Sequence, residues 1–277
     1  MNITAVVVVF NPNVSDLFDN VLSYRKYVDQ IILIDNSTEL HSKELIRNGC
    51  LDRQYLYCDM NGNIGVAAAL NTGFEFAITH GAEWVLTMDQ DSSFISNLDG
   101  FKSYILNKDV NNSLLLAPVY SNFDSNPLCE YEIHNPKFVI QSGNLVNTTN
   151  YLKIGKFREN FFIDFVDYEY CLRGHSHKLA VTQISSVILK HSPGETTIGH
   201  FLGFKYTYWS SAPNRYYYVI RNGLSTAFEY HNLWCLSIVL KTIIRVILLE
   251  KNKKRKLFFI QKGGIDYLKS IYGKLQE

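Results

Sequence analysis

This sequence predicts a doubly wound α/β fold, with a mostly parallel sheet and helices on both faces, followed by a helical, basic C-terminal region. Three observations predict it. Short apolar runs rich in β-branched residues alternate with helical segments from residue 3 to residue 88. Polar clusters follow the ends of those runs, where the right-handed crossovers of a parallel sheet gather a ligand crevice. The 277 residues, 47% hydrophobic and 19% charged, supply one large domain and a smaller appendage rather than a disordered chain.

The elements follow in order. Ile3 to Phe10 (ITAVVVVF) is a continuous apolar run, as expected of a strand buried on both faces, and Asn11-Pro12-Asn13 ends it. Leu17, Val21, Leu22 and Tyr24 lie near helical spacing and predict a helix over about Val14 to Tyr27, before a second strand at Gln30 to Ile34. A polar helix near Ser42 to Asn48, a strand near Gln54 to Tyr57, a helix from about Gly65 to Thr79 and a strand at Trp84 to Met88 continue the rhythm. Farther on, Leu114 to Val119 and Phe138 to Ile140 read as strands, and Asp167 to Leu179 as a helix. One folded domain over residues 1–225 and an amphipathic, basic helical region over 226–277 are expected.

Composition bounds the setting. Cys50, Cys58, Cys129, Cys171 and Cys235 are scattered, with no close pair that reads as a zinc knuckle or redox motif. They suit a reducing compartment. Met1 to Thr4 run straight into a strand, without the basic region and cleavage site of a secretory signal, so a cytoplasmic location is expected. The net charge of +1 is uneven: residues 1–199 hold 14 Lys+Arg against 22 Asp+Glu, and residues 200–277 hold 13 against 4, formal charges of −8 and +9. A basic tail fits an anionic surface, and a solvated helix face explains it too.

Four polar clusters follow strands: Asn11-Pro12-Asn13, Asp35-Asn36-Ser37, Asn61-Gly62-Asn63-Ile64-Gly65 and Asp89-Gln90-Asp91. Each alone is an ordinary turn, but a doubly wound fold places all four along one crevice. If the chain is still extended at Asp89 and Asp91, their carboxylates point the same way. Two adjacent carboxylates repel, and a hard cation such as Mg²⁺ or Mn²⁺, bridging to phosphate oxygens, relieves that repulsion. No glycine-rich dinucleotide loop follows the first strand and no P-loop occurs, which removes hydride transfer and P-loop phosphoryl transfer.

These motifs resemble the family 2 glycosyltransferases of GT-A fold, and among them bacterial rhamnosyltransferases, over roughly residues 3–225. VVVVFNP is similar to the first strand and turn near the nucleotide base, LIDNST to the second, NGNIGVAAALNTG to the start of the helix beside the nucleotide, and MDQDS to the aspartate pair at ribose and metal. FFIDFVDYEYCLR, LKHSPGE and NRYYYVIRN resemble the second half of the pattern. The resemblance implies an inverting transfer from a nucleotide-sugar donor, dTDP-rhamnose favoured and UDP-hexoses next. It implies donor contacts from Phe10, Asn11, Asp35, Asn36, Asn63, Gly65, Asn71 and Asp89. It implies Asp91 as direct metal ligand, Asp89 nearer the ribose and metal waters, and His191 as a further ligand or diphosphate contact. A surface histidine before a Ser-Pro-Gly turn is the bland reading of His191.

Inverting displacement needs a carboxylate to take the acceptor's proton. Asp164, Asp167 and Glu169 lie in one aromatic segment, and first-turn carboxylates also serve a helix dipole. The resemblance favours Asp167 as base, with Val166 where many members carry Glu, and Glu169 second. Arg173 is expected to hold Glu169 by an i,i+4 pair. Ser142 and Gly143 offer backbone amides near diphosphate or acceptor, or simply a turn, and Arg173 and Arg221 complete the diphosphate or acceptor expectation.

Leu233 to Leu249 is strongly apolar, but Lys241 and Arg245 near its middle make full insertion costly. Ser237, Lys241 and Arg245 form one polar stripe, and Lys251 to Lys256 supply a basic run, which together suit a helix lying on an anionic membrane. A helix packed on the domain is the alternative. A saccharide or lipid-linked saccharide acceptor, as in cell-surface polysaccharide synthesis, follows from the resemblance, and nucleic acid is not an expected partner. A nucleotidyltransferase and a non-catalytic nucleotide- or glycan-binding module remain the competing functions.

Overall fold

The computed structural model describes residues 1–121, 132–191, 196–201 and 204–276. Cys129 and the Ser192-Pro193-Gly194 turn lie outside the described residues. The chain divides into two compact units, residues 1–157 with 170–192, and residues 158–169 with 193–277.

The first unit contains β1 (Ile3–Val9), α1 (Val14–Leu22), β2 (Gln30–Asp35), α2 (Leu40–Arg53), β3 (Leu56–Asp59), α3 (Val66–Thr79) and β4 (Trp84–Asp89). It continues with β5 (Ser92–Phe94), α4 (Asp99–Asn107), β6 (Ser113–Ser121), β7 (Ile133–His134), β8 (Asn144–Asn147) and α5 (Thr148–Ile154). The helix α6 (Val166–Ser176) crosses the division, and β9 (Ala180–His191) closes the unit. The sheet order is β3-β2-β1-β4-β8-β6-β9-β5, with β7 also on β9. Parallel pairing joins β1 to β2 and β4, β2 to β3, and β6 to β9, while β8 runs antiparallel between β4 and β6. The strands β1 to β4, β6 and β9 therefore share one direction.

The apolar run of β1 is buried on both faces as its composition requires. Ala5, Val7 and Val9 pack with Leu17, Phe18, Val21, Ile46 and Cys50 of α1 and α2. The opposite face turns Val6 to α3, where a Cβ added to Gly73 would lie 2.3 Å from Val6 Cγ1. Helices thus flank both faces, and each buried valine or leucine contributes roughly 1.5–3 kcal/mol. Asn13 starts α1 by accepting the Ser15 and Asp16 amides at 3.1 and 3.4 Å. The helix stops at Leu22, and a separate 3₁₀ turn covers Arg25–Tyr27.

Phe138 to Ile140 is not a strand. The Ile140 carbonyl is taken out of any ladder by the Tyr120 hydroxyl and the Asn144 amide, at 3.1 and 2.7 Å. The sheet takes its middle strand from Asn144–Asn147, whose two asparagines hide its apolar character.

The second unit holds the hairpin β10 (Thr196–Phe201) and β11 (Phe204–Trp209) and the helices α7 (Arg215–Glu229), α8 (Leu233–Leu248) and α9 (Lys253–Leu268). Tyr216, Ile220, Val239, Val246 and Ile260 form the core between the helices. A Cβ on Gly263 would lie 2.5 Å from the Tyr217 carbonyl, so glycine permits the close crossing of α7 and α9. Glu250 is 1% exposed and accepts from Arg245, Lys256 and Tyr216. Lys256 and Arg245 therefore face inward and do not belong to the basic surface expected of the tail.

Candidate functional site

The first unit assembles its polar strand ends in layers. Asp35, at the end of β2, is fully buried; its Oδ1 accepts the Ser37 amide at 2.8 Å and its Oδ2 the Tyr57 hydroxyl at 2.8 Å. Burial and this bond to Asp35 raise the Tyr57 hydroxyl above its ordinary pKa. Asn36 is 3% exposed, donates to the Gly65 carbonyl at 3.1 Å, and leaves its Oδ1 buried without a hydrogen-bond partner among the described residues. An unpaired buried acceptor is costly, and a ligand N–H relieves the cost. Asn63 Oδ1 accepts the Gly65 amide at 3.0 Å, and Gly65 sits at φ 93, which suits glycine, just before α3.

Asn11 ties the ends of β1 and β2 together: its Oδ1 accepts the Thr38 and Glu39 amides at 3.0 and 3.2 Å. Phe10 is 44% exposed beside it. The Phe10 amide donates to Gln90 Oε1 at 2.7 Å, and Asn20 donates to the Gln90 carbonyl at 3.0 Å. Gln90, between the two aspartates, thus moors their turn to β1 and α1. Its place inside Asp89-Gln90-Asp91 was the only sequence signal for that role.

The two aspartates meet through a turn rather than through strand alternation, because β4 ends at Asp89 and residues 90 and 91 turn into β5. The antiparallel pairing of β5 with β9 sets Ser92 opposite His191. Asp89, Asp91 and His191 consequently present ligand atoms that all lie within 4.8 Å of one another. His191 Nδ1 lies 3.9 Å from Asp91 Oδ1 and 2.9 Å from the buried Ser92 hydroxyl. Burial lowers the imidazole below its ordinary pKa, against the opposing pull of Asp91. Two carboxylates and one imidazole suit Mg²⁺ or Mn²⁺, so this donor set fits a divalent ion. Among the described residues it is the one such cluster of three.

Residues 4–99 match the glycosyl transferase family 2 domain. A dTDP-rhamnosyl transferase, RfbF of Shigella flexneri, is 27% identical over 98% of this chain and 96% of its own length. The chain is a glycosyltransferase. Its fold is similar to that of GalNAc-T7 crystallised with UDP, GalNAc and Mn²⁺, at TM-score 0.56 and 13% identity over 69% of this chain. It is similar also to S. aureus TarS residues 1–349 in complex with UDP-GlcNAc, at TM-score 0.52 and 14% identity over 98% of this chain and 73% of that one. The glycosyltransferase spans 43% of the GalNAc-T7 chain and 43% of the longer TarS chain.

Several expected contacts prove to be internal fasteners of this glycosyltransferase. Asn71 is 2% exposed; it donates to the Phe157 carbonyl at 2.9 Å and accepts from the Phe157 amide and the Tyr151 hydroxyl at 2.9 and 3.0 Å. It clamps α3 to the segment after α5. Ser142 is buried, and its hydroxyl accepts the Asp89 amide at 3.0 Å. The Gly143 amide donates to the Thr87 carbonyl at 2.7 Å, so it is not available to a diphosphate. Both residues brace the aspartate turn from behind. Arg173 donates to the Ile154 and Lys156 carbonyls at 3.1 and 2.8 Å.

In the second unit, Asp167 lies half-buried in the first turn of α6, and its Oδ1 accepts the Tyr168 amide at 2.9 Å. Glu169 is 2% exposed and accepts the Tyr230 hydroxyl at 2.8 Å. Of the two, Asp167 is the accessible carboxylate. Arg221 is fully buried, and its donors reach Asn222 Oδ1, the Tyr217 hydroxyl and the carbonyls of Gly273, Asn160 and Phe161. A guanidinium has five N–H donors, and all are engaged, so Arg221 has none for diphosphate or acceptor.

Proposed function

We propose that this glycosyltransferase moves L-rhamnose from dTDP-rhamnose, with inversion, onto a saccharide or lipid-linked saccharide acceptor in cell-surface polysaccharide synthesis. The observation that carries the reading is the convergence of Asp89, Asp91 and His191 at one end of the sheet. The near full-length likeness to a dTDP-rhamnosyl transferase supports the choice of donor.

Asp91 and His191 would hold a divalent ion, with Asp89 toward the ribose and the ion's waters; such an ion supplies positive charge to a departing diphosphate. Asp35, Asn36, Asn11 and Phe10 would receive the base and ribose, the orphaned Asn36 Oδ1 offering an acceptor to a base N–H. Asp167 takes the acceptor hydroxyl's proton as that oxygen bonds the anomeric carbon and the carbon–phosphate oxygen bond breaks, releasing nucleoside diphosphate. A panel of nucleotide sugars with Mn²⁺ or Mg²⁺ tests the donor: binding at 100 times Kd stabilises a fold by about 2.7 kcal/mol. dTDP-rhamnose is expected to give the largest shift. A larger shift from a UDP-hexose would overturn the donor assignment, and a product that keeps the donor's anomeric configuration would overturn the displacement.

We further propose that the tail rests on an anionic membrane. No helix among the described residues is long and apolar enough to cross one. On α8, Leu240, Ile244, Ile247 and Leu248 are exposed on one face with Lys241 among them, and Phe258, Ile265 and Leu268 are exposed on α9. Lys251, Lys253, Lys254 and Arg255 are exposed beside them. Each surface cation adds about 1 kcal/mol of attraction to an anionic leaflet, lost at high salt. Changing all four to Gln is expected to release the protein from phosphatidylglycerol vesicles, and equal sedimentation of both forms at low salt would refute the proposal.

A further inference from the structure

The segment leading to Asp167 has a backbone that its residues disfavour. Phe162 adopts φ 67 and ψ −61, and the Ile163 amide donates to the Phe161 carbonyl at 2.8 Å, a γ-turn of the rare positive-φ kind. Asp164 and Phe165 follow at φ 61 and 66. Aspartate tolerates the left-handed region, but bulky phenylalanine gains nothing from it, so Phe162 and Phe165 persist there only where surroundings over-determine them.

The over-determination comes from α7. Asn222 is fully buried, and its amide donates to the carbonyls of Phe161, Ile163 and Asp164 at 2.9, 2.8 and 2.9 Å. Arg221 adds bonds to the Asn160 and Phe161 carbonyls, both at 3.1 Å, and fixes the Asn222 amide orientation through Asn222 Oδ1 at 2.9 Å. Gly223 completes the seat, since a Cβ there would lie 3.0 Å from the Phe165 ring. The next carbonyl, that of Phe165, accepts the Glu169 amide at 2.9 Å and so begins the ladder of α6. Asp167 lies within that first turn.

We propose that Arg221 and Asn222 are positioning residues for sugar transfer, which set the start of α6 and thereby the reach of the Asp167 carboxylate. The assignment rests on the reading of Asp167 as base. It accounts for a buried Arg-Asn pair whose donors are all spent within the chain: a displacement of about 1 Å at a reacting group costs on the order of 10²-fold in rate.

The test measures dTDP release from dTDP-rhamnose, with a membrane extract as acceptor source, for the full chain. Asn222→Asp keeps the shape but turns a donor into an acceptor facing three carbonyls. Arg221→Lys keeps charge and stem with fewer donors, and decides the matter if Asn222→Asp does not fold. Each is expected to lower turnover roughly 10–100-fold while donor KM and the donor-induced thermal shift stay within about twofold. In an Asp167→Asn background, the same changes should add less than about threefold, because residues acting as a unit are non-additive. A folded Asn222→Asp or Arg221→Lys protein with unaltered turnover overturns the proposal, as does a loss that multiplies in full on Asp167→Asn. Asp167→Asn at the parent rate is a different signature: it overturns the base reading itself, and the positioning role with it.

Discussion

The strand ends of the first unit and the helix α7 of the second are equally rich in polar residues that suggest a ligand site, yet they use them oppositely. At the strand ends hydrogen-bonding capacity is left over: the Asp91 side chain is 53% exposed and Asn36 Oδ1 is buried with no partner among the described residues. On α7 it is exhausted, since Arg221 and Asn222 are fully buried and their donors are spent on backbone carbonyls, on Tyr217 and on each other. Asparagine serves in both places. What separates a binding group from a fastener is whether its donors and acceptors are already satisfied, a property of packing that spacing in sequence does not display.

The sharpest way to break that contrast is Asp91→Ala. If the aspartate turn is a ligand site, transfer should fall by at least ~10³-fold, the scale of several kcal/mol of lost charge stabilisation, while the melting temperature stays nearly fixed. Excess chelator should have the same effect on the parent protein, reversed by Mn²⁺ or Mg²⁺. Full activity after demonstrated metal removal would eliminate the metal reading.

Glu250→Gln probes the opposite kind of residue. It leaves Lys256, bonded to Glu250 and to Ser210 Oγ at 3.1 Å, and Arg245 without their buried counter-charge. Breaking one partner of a buried ionic group typically costs about 3–5 kcal/mol. Urea unfolding should show a loss of that order, and a loss under about 1 kcal/mol would mean that water reaches the cluster.

How much was legible follows from the same contrast. Buried parallel strands announce themselves, so β1 to β4 and their polar ends could be placed from VVVVF, IILID and WVLTMD alone. The pairing of Asp91 with His191 came from the resemblance and not from local pattern, because it depends on β5 and β9, strands 99 residues apart at the Ser92–His191 contact. Asn71 and Arg221 sit in motifs that also hold residues proposed to face a ligand, and the resemblance spread a functional expectation over whole motifs. Only the carbonyls of Phe157, Asn160 and Phe161 next to them distinguish the fasteners.

Gly143→Ala lies between the two kinds. The residue adopts φ 83, and a Cβ would stand 2.8 Å from Pro118 Cγ and 2.9 Å from Leu189 Cδ2. A left-handed alanine costs roughly 1–2 kcal/mol and overpacking about 1–3 more. Because Ser142 beside it holds the Asp89 amide, the variant should lose both stability and metal affinity. Loss of stability with unchanged Mn²⁺ affinity would show that the turn keeps its shape without this brace.

Tyr57→Phe should have the smallest effect and tests the hydrogen bonds behind the proposed nucleotide site. The hydroxyl donates to Asp35 Oδ2 at 2.8 Å from a half-buried ring, so water can partly replace it, and a loss of about 1 kcal/mol is expected. Burial first, then the bond to Asp35, raise its pKa above the ordinary 10.0. The folded state therefore holds this proton more tightly than the unfolded state. Its contribution is full below about pH 10 and declines as pH rises toward the folded value. Parent and variant stabilities should accordingly converge in strongly alkaline solution, a trend that chemical denaturation at several pH values can follow. Donor affinity should change by less than about tenfold if Tyr57 only orients the Asp35 carboxylate. A drop of several orders of magnitude would place the hydroxyl itself on the nucleotide, moving Tyr57 from the fasteners to the binding groups.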